Sequence, residues 1–275
     1  MEIKNPIETM KKRYSCRTYK KENPDRELLD KLENGIQGLP PSVFGNQFRF
    51  TVLDAKSAGM DGFSGTYGFI KNAPLFLAGV GSPGIGAGED YGYVMEHLIL
   101  IAAELGLGTC WLGGTINRSR LKRVLGAADG ESVPAVSPIG LPAEKSLRAR
   151  IISSAAGSRR RKPFPELFYR EEDGKTVSID ESGAGQYREA LESVRIAPSA
   201  MNTQNWRLVR FPKGVRFYLS GKAEEGFNYG RLNIGIAMCH FELAAEYAGI
   251  TGHWIKESYV PENEWMYTVS WISGK

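Results

Sequence analysis

The stretch GYVMEHLILIAAELGLGTCW, Gly92 to Trp111, decides the fold because it occurs twice. Laid without a gap over GIAMCHFELAAEYAGITGHW, Gly235 to Trp254, it matches at Gly92/Gly235, Met95/Met238, His97/His240, Leu100/Leu243, Ala102/Ala245, Gly106/Gly249 and Trp111/Trp254. Asp90 and Asn233 correspond just upstream. Unrelated sequences of ordinary composition share about one residue over such a span. Apolar residues recur at helical spacing, and Gly106 and Gly249 stand where a helix C-terminal cap belongs. Leu98 to Ala102 are apolar without a break. A helix apolar on all faces must be buried, so the two copies are expected to pack into one unit.

Working outward, each helix follows two strand-like runs. These are Phe48–Asp54 and Ala73–Val80 in the first part, and Trp206–Phe211 and Val215–Gly221 in the second. Helix candidates, Asp25–Gly35 and Gln186–Ile196, come before them, and strand candidates, Val133–Gly140 and Trp265–Ile272, close each part. The expected class is α+β: two tandem degenerate repeats, each a mostly antiparallel sheet packed on helices, over residues 1–165 and 166–275. Charge, Gly and Ser dominate Arg148 to Gly185, which reads as a long connection. Its stretch from Pro163 to Ser182 is the expected substrate cover.

The loops before the second strands are duplicated too. RIAPSAMNTQNWRLV (Arg195–Val209) is a polar, uncharged turn, and LPPSVFGNQFRFTVL (Leu39–Leu53) is a worn copy of it. Ser, Asn and Gln offer donors and acceptors to a neutral polar ligand, and Pro, Ser and Asn are equally ordinary turn residues. In KKRYSCR, Arg13, Ser15 and Arg17 alternate, so in an extended segment they face one way. Two guanidiniums around a hydroxyl can clamp an anion, and the same residues also read as solvated charges. Gly113 and Gly114 in GTCWLGGT would let backbone approach a ligand, whereas Ile255, Lys256 and Glu257 stand in the second copy. SRRRKPF (Ser158–Phe164) is a basic run without the aromatic interleaving of a single-strand binder.

Other classes are set aside on simple grounds. The 275 residues are 42% apolar and 24% charged with a net charge of +4, which is globular composition without a nucleic-acid signature. No apolar run approaches the roughly 20 residues of a membrane span. The N-terminal residues lack a secretory h-region, and three scattered cysteines suggest neither disulfides nor zinc, so a cytoplasmic location is expected. GVGSPG (Gly79–Gly84) spells a dinucleotide fingerprint, but IGAGED is expected to separate it from a helix near Asp90, and Glu104 lies on that helix. His97 and His240, at equivalent positions, are expected to pack at the interface of the repeats. No catalytic side chain and no metal ligand stands out.

Together RYSCR, PSAMNTQNW, LGLGTCWLGG and RRRKP resemble the FMN-dependent nitroreductase family, and they span most of the chain. Ordinary members resemble one half of this chain with extra helices and work as intertwined homodimers with flavin at the interface. The resemblance therefore implies a fused pseudo-dimer, which has no need to dimerise and is expected as a monomer. It implies one FMN held by Arg13, Ser15 and Arg17, by Leu112, Gly113 and Gly114, by Arg159 and Arg161, and by Pro198, Ser199, Ala200, Asn202 and Gln204. Arg13, Arg159 and Arg161 would hold the phosphate, and Arg17 would sit near the N1/O2 edge. Ser15, Asn202 and Gln204 would bond ribityl and ring heteroatoms, and backbone near Gly113 or Gly114 would meet N5 or O4. The mirror site is expected to be broken, because Gly45 stands opposite Asn202 and no Arg-x-Ser-x-Arg precedes the second half. NAD(P)H would be the transient donor, and a nitroaromatic, quinone or enone the acceptor. The alternatives are a same-fold flavoprotein with a specialised reaction, a non-catalytic FMN binder, and a basic nucleic-acid module.

Overall fold

A computed structural model describes residues 3–61, 68–114, 116–143, 160–222, 226–258, 260 and 263–274. The first part of the chain runs α1 (Pro6–Lys12), α2 (Arg26–Gln37), β1 (Phe48–Asp54), α3 (Ala55–Ala58), β2 (Leu75–Gly81), α4 (Ala87–Glu104), α5 (Arg118–Val124) and β3 (Val136–Ile139). The second runs α6 (Phe164–Leu167), β4 (Phe168–Glu172), β5 (Lys175–Ser178), a 3-10 segment (Glu181–Tyr187), α7 (Arg188–Ile196), β6 (Trp206–Phe211), β7 (Gly214–Leu219), α8 (Tyr229–Tyr247), β8 (Gly252–Ile255) and β9 (Met266–Ser273). Local chemistry starts several helices. Asn5 and Asp25 cap α1 and α2 by accepting the N–H of Glu8 and Leu28, and Asn228 caps α8 by accepting that of Arg231.

Among the described residues, β1, β2 and β3 form an antiparallel sheet, and the second sheet has the order β5-β4-β6-β7-β9-β8. Of the strands named among the described residues, β4 and β6 pair in parallel and the others antiparallel. In the first part, bridges Gly108↔Gly140 and Leu112↔Val136 run beside β3, in the place that β8 takes beside β9. This is the expected α+β plan.

The two repeated helices, α4 and α8, lie against each other at their matched glycines. A Cβ on Gly92 would collide with the Leu232 carbonyl oxygen, and one on Gly235 with the Glu89 carbonyl oxygen. Leu232 and Glu89 are themselves equivalent positions in the repeat. The contact is therefore self-complementary, the pattern of a two-fold interface. One core joins both parts of the chain: Met10, Leu77 and Leu98 share it with Trp206, Phe241 and Trp271.

Two expectations are corrected. The segment read as a long connection is built structure from Phe164 onward: Phe164, Leu167 and Phe168 are buried in the core, and β4 and β5 form a hairpin on the sheet edge. It reaches the sheet because Phe168 pairs beside Leu208, while its remaining residues are polar and resemble a loop in sequence. Within Pro163 to Ser182, Phe168–Glu172 and Lys175–Ser178 are thus strands of the second sheet and not loop; residues 148–159 of the expected connection lie outside the described ones. Second, α4 begins at Ala87, so Gly84 is closer to a helix than expected. A dinucleotide site stays excluded because β2 sits in an antiparallel sheet.

His97 is packed edge-to-face on Tyr93 with ring centroids 4.8 Å apart, and its Nε2 is buried without a hydrogen-bond partner. Burial, and then the nearby His240, lower its pKa from 6.5 to about 4. Below pH 6.5 the unfolded chain takes a proton that the folded chain refuses until about pH 4. Stability is therefore unaffected above that window and is lost as pH falls through it, by ~3 kcal/mol. His97→Phe is expected to flatten this part of the acid limb in urea unfolding at pH 7 and pH 4.5; an unaltered slope would assign it to other groups.

Candidate functional site

Past α1 the chain runs extended beside Thr109. Ser15 bridges Thr109 in parallel, and the Cys16 N–H donates to the Thr109 carbonyl at 2.8 Å. Arg17 and Ser15 reach the buried Cys110 thiol, with Arg13 nearby; burial raises this thiol's pKa and Arg17 and Arg13 oppose the rise. Arg13 Nε is buried and, among the described residues, has no hydrogen-bond partner.

Arg161 approaches from the other side. Burial, with Arg13 and Arg195 beside it, lowers its pKa to about 10. Arg195 is matched by Glu192 at 2.6 Å. Arg161 donates through Nη1 to Asn202 Oδ1 and through Nη2 to the Ile196 carbonyl, both at 2.9 Å. Asn202 Nδ2 and Gln204 Nε2 both donate to the Arg160 carbonyl, at 2.8 and 3.2 Å. Gln204 Oε1 accepts the Lys162 N–H at 2.8 Å, and Ser199 Oγ accepts the Gln204 N–H at 3.0 Å. The two amides thus clasp residues 160–162 to the 198–205 loop.

This loop is bent hard. Met201, Asn202 and Gln204 have φ of 51°, 56° and 45°, a region non-glycine residues rarely enter and one that clusters at functional sites. Asn233 of α8 holds it: Oδ1 accepts the Ala200 N–H at 2.9 Å, and Nδ2 donates to Asn205 Oδ1 at 2.8 Å and Thr203 Oγ1 at 3.2 Å. An ionised carboxylate, which only accepts, could not make the two donations. One helical turn earlier, Tyr229 lies on the glycine turn, and a Cβ at Gly113 would come within 2.5 Å of its ring. Leu112 anchors that turn by donating to the Val136 carbonyl at 2.9 Å. The start of α8 is where the first part's glycine turn and the second part's loop converge.

Of the residues expected from sequence, the structure unites Arg13 and Arg161 with Ser199, Ala200, Asn202 and Gln204. Pro198 opens the same loop. Ser15 and Arg17 lie near Cys110, Gly113 and Gly114 meet Tyr229, and Leu112 pairs with Val136 just before them. Arg159 lies outside the described residues. Sequence reasoning missed Arg195 and Tyr229, named Lys162 only within the basic run, and noted Asn233 only as the counterpart of Asp90. The mirror copy differs. Asp90 accepts the Phe44 and Asn46 N–H groups at 2.9 and 3.1 Å, so a carboxylate holds the worn loop where an amide holds the intact one. The Phe44 ring lies directly on Gly86, and Gly45 has no side chain with which to repeat the Asn202 clasp.

The donor set fits an anion with several oxygens. A buried guanidinium nitrogen without an acceptor stands beside a second guanidinium whose charge burial disfavours. A phosphate answers both, because arginine binds it in bidentate fashion.

Fold and site together define a nitroreductase-like protein. Residues 5–245 match the TM nitroreductase family model, and the chain belongs to that family of oxidoreductases. A Thermotoga maritima nitroreductase shares the fold at full length: 16% identity, TM-score 0.63, covering 99% of this chain and 95% of that one. An FMN-dependent nitroreductase from Clostridium difficile is 27% identical with a TM-score of 0.41, over 51% of this chain and 89% of that one. An NADH oxidase from Clostridium acetobutylicum is 25% identical with a TM-score of 0.41, over 50% of this chain and 88% of that one. No curated protein matches. Among the described residues, no helix is long and apolar enough to cross a membrane.

Proposed function

We propose that the chain is an FMN-dependent NAD(P)H oxidoreductase that holds one FMN and passes electrons to a small acceptor such as a nitroaromatic, quinone or enone. The observation that carries this reading is the Arg13–Arg161 cradle, assembled from both parts of the chain by the Asn202–Gln204 clasp. Arg13 and Arg161, with Arg159, would hold the phosphate. Ser15 and Arg17 would line the next part of the site, and backbone from Leu112 to Gly114 and from Pro198 to Ala200 would border the ring. Asn202 and Gln204 would act by fixing Arg161 and the backbone of residues 160–162. When bound, FMN supplies reversible two-electron chemistry. The protein's part is to place cations where negative charge gathers and to keep the turn at Gly113 narrow.

A single site follows from the asymmetry between the repeats, read as a fused pseudo-dimer of residues 1–165 and 166–275 that needs no second chain. Phe44 and Asp90 take the places of Met201 and Asn233, and a carboxylate there opposes a phosphate. Cys16, Cys110 and Cys239 are free and buried, which suits a reducing cytoplasm.

The test is to release and count the flavin of the purified protein and to follow NADH and NADPH oxidation with a quinone. One FMN per chain with turnover is expected. Two would show that the mirror site is intact, and none after reconstitution would end the proposal.

A further inference from the structure

A second cationic site lies away from the Arg13–Arg161 cradle, at the end of β4 and β6. Arg170 and Arg210 are register partners on these parallel strands, so their side chains share a face. Like charges set side by side across strands are destabilising. Arg170 is relieved by Glu172, which accepts from its Nη2 at 2.7 Å. Arg210 is half-buried, and among the described residues it has no hydrogen-bond or ion-pair partner.

The backbone is shaped around that guanidinium. Gly185 has φ 59° and ψ −140°, a conformation essentially confined to glycine, and a Cβ there would collide with Arg210 Nη1. A cavity of about 350 Å³ opens at this point, with Glu171, Gln186, Tyr187, Phe211 and Pro212 also in its wall, and Glu171 is paired with Arg216. A half-buried guanidinium without a protein acceptor among the described residues thus stands beside a like charge, at the wall of this cavity and under a turn that suits glycine.

We propose that this cavity is a binding site for an oxyanion, a carboxylate or a phosphate ester, gripped by the Arg210 fork and supported by Arg170. Guanidinium geometry matches either group. The site is independent of the flavin reading, since it shares no residue with the cradle.

Calorimetric titration of the purified holoprotein with pyrophosphate and with citrate tests it. Arg210→Gln is expected to weaken binding of at least one of them about tenfold, and Arg210→Lys, which keeps the charge but not the fork, to weaken it less. Arg13→Gln serves as the control for binding at the cradle. Affinity unchanged in Arg210→Gln, binding lost only in Arg13→Gln, or no binding of either anion to the wild type would each overturn the proposal. Which anion binds separates the phosphate source from the carboxylate source.

Discussion

Arg161→Ala is expected to weaken FMN binding by about 100-fold. Two losses combine. The first is a charge-assisted contact to the phosphate, worth roughly 1.5–3 kcal/mol. The second is the tie between the basic segment and the loop, because Arg161 bonds both Asn202 Oδ1 and the Ile196 carbonyl. Without it, Asn202 and Ile196 keep acceptors that are only partly answered, and the strained φ values at Met201, Asn202 and Gln204 lose one restraint. Arg161→Lys should fall between, since a point charge cannot make both bonds at once. Titration of apoprotein with FMN, followed by flavin fluorescence, reads the affinity directly. Equal affinity in Arg161→Ala and wild type would remove Arg161 from the site. A loss of the same size in Arg161→Lys would point to the geometry of the clasp, not to charge, as the main contribution.

Glu96→Ala is expected to cost about 2–6 kcal/mol of folding stability, because His240 and Trp111 each lose a hydrogen-bond partner at roughly 1–3 kcal/mol apiece. Glu96 and His240 are both 0% exposed. Glu96 Oε1 is 3.0 Å from His240 Nε2, and His240 Nδ1 is 2.9 Å from the Ser193 carbonyl. His240 is thus held between Glu96 of α4 and the Ser193 carbonyl of α7. Glu96 Oε2 also accepts Trp111 Nε1 at 2.6 Å, and Trp111 leads into the glycine turn at Gly113. Removing the carboxylate therefore leaves His240 Nε2 and Trp111 Nε1 without their shared partner at the contact of α4 and α8. Glu96→Gln keeps an acceptor for Trp111 and should lose less. Urea unfolding of the three proteins at pH 7 decides the matter; a loss under about 1 kcal/mol in Glu96→Ala would mean that the pair is neutral in the fold.

The repeat made most of the architecture legible. A gapless match across Gly92–Trp111 and Gly235–Trp254 located both central helices, and the strand-like runs before them became β1, β2, β6 and β7. The hairpin of β4 and β5 was hidden by its composition: only Phe168 and its neighbours toward α6 are buried, and Lys175–Ser178 is exposed throughout. Its signal was the Asp173–Gly174 pair, a two-residue turn with both φ values positive, set inside a charged run. β8 was missed for a similar reason, since Gly252–Ile255 is only partly buried and follows a helix cap closely.

What the sequence determined by itself was the pairing of like with like: two equivalent helices, two equivalent loops, and the differences that leave one loop sharp and the other worn. Periodicity and repetition are local properties, and they survive without coordinates. What only the tertiary structure decided was which side chains complete one another. Arg13 meets Arg161, Tyr229 meets Gly113, and Asn202 and Gln204 turn inward to the backbone of residues 160–162. Arg210 faces Gly185 and not a carboxylate. These pairs depend on how α4 and α8 cross at their glycines and on how the strands register. Those arrangements are set by close packing between segments far apart in the chain, which no single window of sequence contains.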